Sequence, residues 1–137
     1  MNITQQYVNS IAYRTMACAI EVHKQLGAGL LESIYHACLV HELKLQGLDV
    51  QEQVAVPIIY KGIATKDPLR LDILVNNLVI VEVKAVDTLA PIFDAQLLTY
   101  MKLGQKPKGL LINFNSIQLV KASKPFVNEL FAALPKE

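Results

Sequence analysis

Asp72, Glu82 and Lys84 are charged residues set in runs that are otherwise apolar. Leu69, Leu71, Ile73, Leu74 and Val75 surround Asp72, and residues 78–83 are apolar except for Glu82, with Lys84 next. Burying an unpaired carboxylate costs several kcal/mol or forces it to stay protonated, so charges in such runs need a partner or a metal. One solution is a buried ion pair between Lys84 and one of the acids. The other is a hard cation, Mg²⁺ or Mn²⁺, held by the two carboxylates and a nearby carbonyl such as that of Val83. That ion would stabilise charge on a scissile phosphate and acidify a bound water. Lys84 would then orient the water or offset the phosphate's charge.

Whether the acids meet depends on register. Glu82 and Lys84 lie two apart and share one side of a strand, with Val81 and Val83 on the other. A two-residue turn at Asn76 and Asn77 would pair Asp72 with Val81 and send the acids to opposite faces. A three-residue loop, 76–78, would set Asp72 against Glu82. The metal reading therefore requires the odd residue.

These strands need elements around them. Val8, Ile11, Thr15, Cys18 and Val22 alternate at spacings of three and four, which predicts an amphipathic helix over residues 3–26. Gly27 and Gly29 break it, and a second helix runs over 30–46 to Gly47, with Leu31, Ile34, Tyr35, Cys38, Leu39 and Leu45 as its apolar stripe and Glu32 at the stripe's edge. Residues 50–60, 69–75 and 78–84 read as strands of an antiparallel meander, with Lys61-Gly62 and Asp67-Pro68 as turn chemistry. Asp87 or Thr88 is placed to cap a third helix, with Pro91 in its first turn and Gly104 at its end. Residues 109–113 and 118–122 read as strands and 125–134 as a final helix. The order gives one α/β domain, residues 1–137, with a mixed sheet of antiparallel meander plus crossover strand, flanked by helices.

Composition sets the outer bounds. With 53% hydrophobic and 18% charged residues, the 137-residue chain has ample material for one core and is not disordered. The segment MNITQQYVNS lacks the features of a signal peptide and no apolar run is long enough for a membrane span, so the expected location is the cytoplasm. Cys18 and Cys38 fall at apolar helix positions and read as small core residues. Net charge is only +1, so charge alone points to no nucleic-acid partner. From Lys61 onward ten Lys/Arg face seven Asp/Glu, against three and five before it, an asymmetry that suits a solvated surface or a phosphate track. Glycine-rich phosphate loops, HExxH helices, zinc-type cysteine patterns and nucleophile-elbow serines are all missing.

Three stretches in order resemble the small GxxExxY proteins of the PD-(D/E)xK nuclease superfamily. EVHKQLGAGLLESIY, residues 21–35, presents Gly29, Glu32 and Tyr35 at the naming spacing. RLDILV followed by VIVEVKAV matches the Asp and Glu-x-Lys signature, and QLLTYMK is similar to the QxxxY motif of RecB-like exonucleases. Ala28 departs from the proline common between the family's two glycines.

The resemblance implies a restriction-endonuclease-like fold and a Mg²⁺- or Mn²⁺-dependent nuclease acting on nucleic acid, DNA foremost. It places Asp72, Glu82, Lys84 and Glu32 in the catalytic site, with Glu32 joining Asp72, Glu82 and Val83 around the metal. It also implies that Gln96 and Tyr100 line the substrate groove, although residues four apart on a helix could equally brace the sheet. Arg70 shares the side of Asp72 and suits either a phosphate contact or neutralisation of the acids. Tyr35 reads as a packing residue and His23 as a surface residue or a satisfied neighbour of the core. The rival reading is an inert nuclease-like module that binds nucleic acid or protein. A domain this small would hold a long substrate better as a homodimer.

Overall fold

The computed structural model describes residues 2–137. Helix α1 (Gln5–Leu26) starts where Thr4 Oγ1 accepts the Tyr7 N–H at 3.0 Å and ends at Gly27, whose φ of 74° a side chain would resist. Its buried residues Val8, Ile11, Thr15, Cys18 and Val22 are those of the expected stripe. Helix α2 (Glu32–Leu45) buries Tyr35 and Leu39 of the expected stripe and packs Cys38 against the core, but its ends turn outward. Tyr35, Leu39, Val40 and Leu43 are buried, whereas Leu31 and Leu45 are 71% and 65% exposed and Ile34 is also exposed. Leu31 caps the helix from outside its first turn, and so its side chain leaves the stripe.

Strands β1 (Val50–Val56), β4 (Leu69–Val75), β5 (Val79–Lys84), β6 (Lys108–Asn113) and β7 (Ser123–Val127) form one sheet in the order β1-β4-β5-β6-β7. Only β5 and β6 are parallel, joined through helix α3 (Pro91–Leu103), so the sheet is mixed as expected. Helices α1 and α2 cover one face over Ile73, Val75, Val79, Val81, Val83, Leu110 and Ile112. Helix α3 covers the other, packing Leu97 and Met101 on Leu69, Leu71, Leu74, Ile80 and Leu111.

Four boundaries differ from the sequence reading. The expected strand 50–60 breaks at Pro57, which lacks an N–H and constrains the residue before it. Beyond the proline the chain forms a separate ribbon, β2 (Ile59–Tyr60) with β3 (Ile63–Ala64). Neither Asp87 nor Thr88 caps α3. Ala90 takes that place without a side-chain bond, and Pro91 supplies the preset first turn. Residues 118–122 form turns closed by local bonds such as Ala122 N–H to Gln118 O, with Val120 exposed, and the strand lies one step later. That strand takes in Pro125, tolerated because β7 is an edge. The terminal helix shrinks to α4 (Glu129–Ala132), capped by Asn128. Among the described residues no helix is long and apolar enough to cross a membrane.

Candidate active site

The decisive register is the one between β4 and β5. Ile73 pairs with Val81, Leu74 with Ile80 and Val75 with Val79, leaving the three-residue loop 76–78. Asn76 and Asn77 make the turn in left-handed conformations, φ 50° and 58°, that asparagine tolerates well. The next rung beyond Ile73–Val81 sets Asp72 opposite Glu82. There the paired ladder stops, and β4 continues against β1 while β5 continues against β6. The two acids stand where the strands part.

Asp72 fills the opening in a specific way. Leu69 and Leu71 belong to the α3-side core but Ile73 and Val75 to the α1/α2 side, so β4 changes faces at Asp72. Its neighbour β1 changes faces at the same rung, Val50 packing on one side and Val54 and Val56 on the other. Gln53, with φ 49°, absorbs that switch, and the pairs Glu52–Ile73 and Val54–Leu71 keep the register on either side. Asp72 consequently points along the sheet: Oδ2 accepts the Val83 backbone N–H at 3.4 Å, and Oδ1 accepts the Gln53 amide at 3.0 Å.

Glu82 follows the alternation of β5 to the α3 side and is only 7% exposed. Its Oε1 is buried with no hydrogen-bond partner. Burial pushes its pKa up to about 7, reinforced by the charge of Asp72 and more weakly by Glu32. Lys84 and the backbone N–H of Asp72 oppose the rise. Lys84 does not close on either acid: among the described residues Lys124 pairs with Asp94, and His36 contacts Glu52 and Asp72. The Lys84 ammonium lies instead 4.4 Å from the centroid of the Phe93 ring on α3. A buried Lys84 salt bridge therefore does not explain why the acids are there.

On the α2 side an open cleft of about 290 Å³ is lined by Glu32, Ser33, His36, Gln53 and Asp72. Glu32 heads α2 at this cleft beside Asp72, near enough to Glu82 for its charge to add to the upward push on that carboxyl. Among the described residues no three Asp, Glu, His or Cys side chains are grouped to hold a metal ion. Glu32, Asp72 and Glu82 are thus neighbours and not a closed cage. Asp72 and Glu82 nonetheless suit a hard cation: both offer carboxylate oxygen, and one buried oxygen of Glu82 lacks any donor.

Gln96 and Tyr100 bond to each other, Nε2 to Oη at 2.9 Å, on the helix that carries Phe93 to Lys84. Tyr100 also packs, partly buried, against the α3-side core. Arg70 is exposed on β4 opposite Ala55 and forms no ion pair with the acids. Tyr35 is fully buried, stacked on Phe114, with its hydroxyl donating to Gly27 O at 2.6 Å. His23 bonds Ser116 O at 2.7 Å, a core neighbour as expected.

Sequence reasoning missed His36, Ser33 and Gln53. His36 bridges Glu52, 2.9 Å from Nε2, and Asp72, 3.8 Å from Nδ1. Its position four residues after Glu32 was the available signal, since that spacing shares a helix face. Nothing in the sequence marks Gln53 as left-handed.

No curated protein and no solved structure matches this chain. The model of the PD-(D/E)XK nuclease superfamily matches residues 9–125, a span that includes most of α1, all of α2, the acids at the parted strands, Lys84 and all of α3. The chain belongs to the PD-(D/E)XK nuclease superfamily.

Proposed function

We propose that residues 1–137 act as one domain, a divalent-metal-dependent nuclease that hydrolyses phosphodiester bonds in DNA. The observation that carries this reading is the buried, partnerless Oε1 of Glu82 beside Asp72, with Lys84 left out of any ion pair. Asp72 and Glu82 would hold Mg²⁺ or Mn²⁺, with the Val83 carbonyl and Glu32 as further oxygen donors. The ion, when bound, supplies charge stabilisation for the phosphate and a more acidic water. Gln53 fixes the Asp72 carboxylate through its amide, and Val83 N–H fixes the other oxygen. Lys84 swings from the Phe93 face to the phosphate and offsets its charge, a role that fits a cation on a flexible stem. Gln96, Tyr100 and Arg70 contact the substrate strand. The Gly29, Glu32 and Tyr35 spacing supports assignment to the GxxExxY proteins, and free Cys18 and Cys38 suit a cytoplasmic setting.

The test is incubation with linear, circular, single-stranded and duplex DNA, and with RNA, in Mg²⁺ and Mn²⁺. DNA cleavage that disappears with chelator and in Lys84→Ala is the expected result. Cleavage of RNA alone would replace the substrate. Cleavage unchanged in Lys84→Ala would remove the assignment, and nucleic-acid binding without cleavage would favour the inert module.

A further inference from the structure

The β2–β3 ribbon stands apart from the main sheet and presents large apolar side chains to solvent. Ile59, Tyr60 and Ile63 are 68%, 65% and 70% exposed. It is nevertheless built as a defined element. Tyr60 pairs with Ile63 across the two-residue turn Lys61-Gly62, whose φ values of 48° and 86° give the left-handed turn that matches strand twist. Thr65 ties the neck, its N–H donating to Ile58 O at 2.9 Å and its hydroxyl to Asp67 O at 3.0 Å.

Exposing three such residues on a preformed ribbon is unfavourable unless something covers them. Charge identifies the occupant. Between residues 57 and 70 Lys61, Lys66 and Arg70 face a single acid, Asp67, while the whole chain carries only +1. Lys61 Nζ lies 5.4 Å from the Tyr60 ring centroid, so the aromatic platform carries its own cation. Position agrees. The chain leaves the sheet at Val56 and returns at Leu69, the partner of Val56, at the end of the sheet where β5 also finishes at Lys84. Asp72 is three residues from Leu69, about 10 Å along the strand, a distance that a few nucleotides of an unpaired strand can span.

We propose that the β2–β3 ribbon is a nucleic-acid grip, in which Tyr60 stacks on an unpaired base, Ile59 and Ile63 flank it, and Lys61, Lys66 and Arg70 track the phosphates leading to Asp72. Because stacking needs a free base face, the ribbon favours single strands and frayed ends over intact duplex. This inference rests on the nuclease reading for its substrate class and extends the substrate track from Arg70 to the ribbon.

The test is fluorescence anisotropy of labelled single-stranded and blunt duplex DNA with the full chain in chelator, comparing wild type, Tyr60→Phe and Tyr60→Ala. Tyr60→Ala should bind the single strand about tenfold more weakly, with Tyr60→Phe near wild type and duplex binding changed less. Circular dichroism and melting confirm that each variant is folded, as the exposure of the position leads us to expect. Equal single-strand affinity in wild type and Tyr60→Ala overturns the grip and leaves the nuclease reading intact. A wild type that binds no nucleic acid overturns both. A dimer in sedimentation that dissociates in Tyr60→Ala, with DNA affinity unchanged, overturns the grip by giving the ribbon to a second copy.

Discussion

The two ends of the β4–β5 pair use the same strands for opposite purposes. At the turn end Val75, Val79, Leu74 and Ile80 are buried, apolar and regularly paired. At the other end, beyond the Ile73–Val81 rung, the ladder stops, β4 and its neighbour β1 change faces, and two carboxylates occupy the gap. The difference teaches that the apolar end holds the charged end in place. A carboxylate as buried as Glu82 disfavours the fold, and the regular rungs beside it supply the compensating stability.

Breaking the apolar end should have the largest effect on the fold. Ile80→Ala removes a fully buried side chain from the α3-side core and should cost about 2–5 kcal/mol in chemical denaturation. Mn²⁺ affinity of the molecules that remain folded should not change. A loss of affinity equal to the loss of stability would mean that the two ends are one cooperative feature.

The charged end sharpens the comparison through pH. An unfolded Glu82 loses its proton near 4.5 and the folded one near 7, so between those values the metal-free native state holds more protons. Stability should therefore fall as pH rises through that window, by about 3 kcal/mol from this group. Glu82→Gln should flatten the profile by that amount, read as the difference between the two melting series. Saturating Mg²⁺ should oppose the fall in wild type only.

A smaller effect is expected at Gln53, where the two strands change faces. Gln53→Gly relieves the left-handed backbone but removes the donor to Asp72, so stability should move by less than about 1 kcal/mol. Mn²⁺ affinity, by calorimetry, should drop severalfold. An unchanged affinity would show that the amide bond does not orient Asp72.

Much of the site was legible because the register of β4 on β5 follows from strand parity in the apolar rungs. Asp72 and Glu82 interrupt apolar runs, and the requirement for an odd loop residue follows from their spacing alone. Less legible was what depends on neighbours. The inward face of α2 is set by its packing on the sheet, so Leu31 and Leu45 misled the stripe. Gln53 and His36 acquire meaning only once β1 and α2 are placed beside Asp72, and the weakly apolar run 118–122 lost to a later edge strand. The motif resemblance groups Glu32 with both acids, and only the placement of α2 beside β4 sets it in one cleft with Asp72.

The most direct measurement is calorimetric titration of Mn²⁺ into wild type and Glu82→Gln at pH 7, in buffers of different ionisation enthalpy. A cation that takes the unpartnered Glu82 oxygen must displace the proton held there about half the time, so wild type should release about half a proton per ion. Glu82→Gln should bind far more weakly and release none. No binding at millimolar Mn²⁺, or the same affinity and proton count in both proteins, would contradict a metal site between the parted strands.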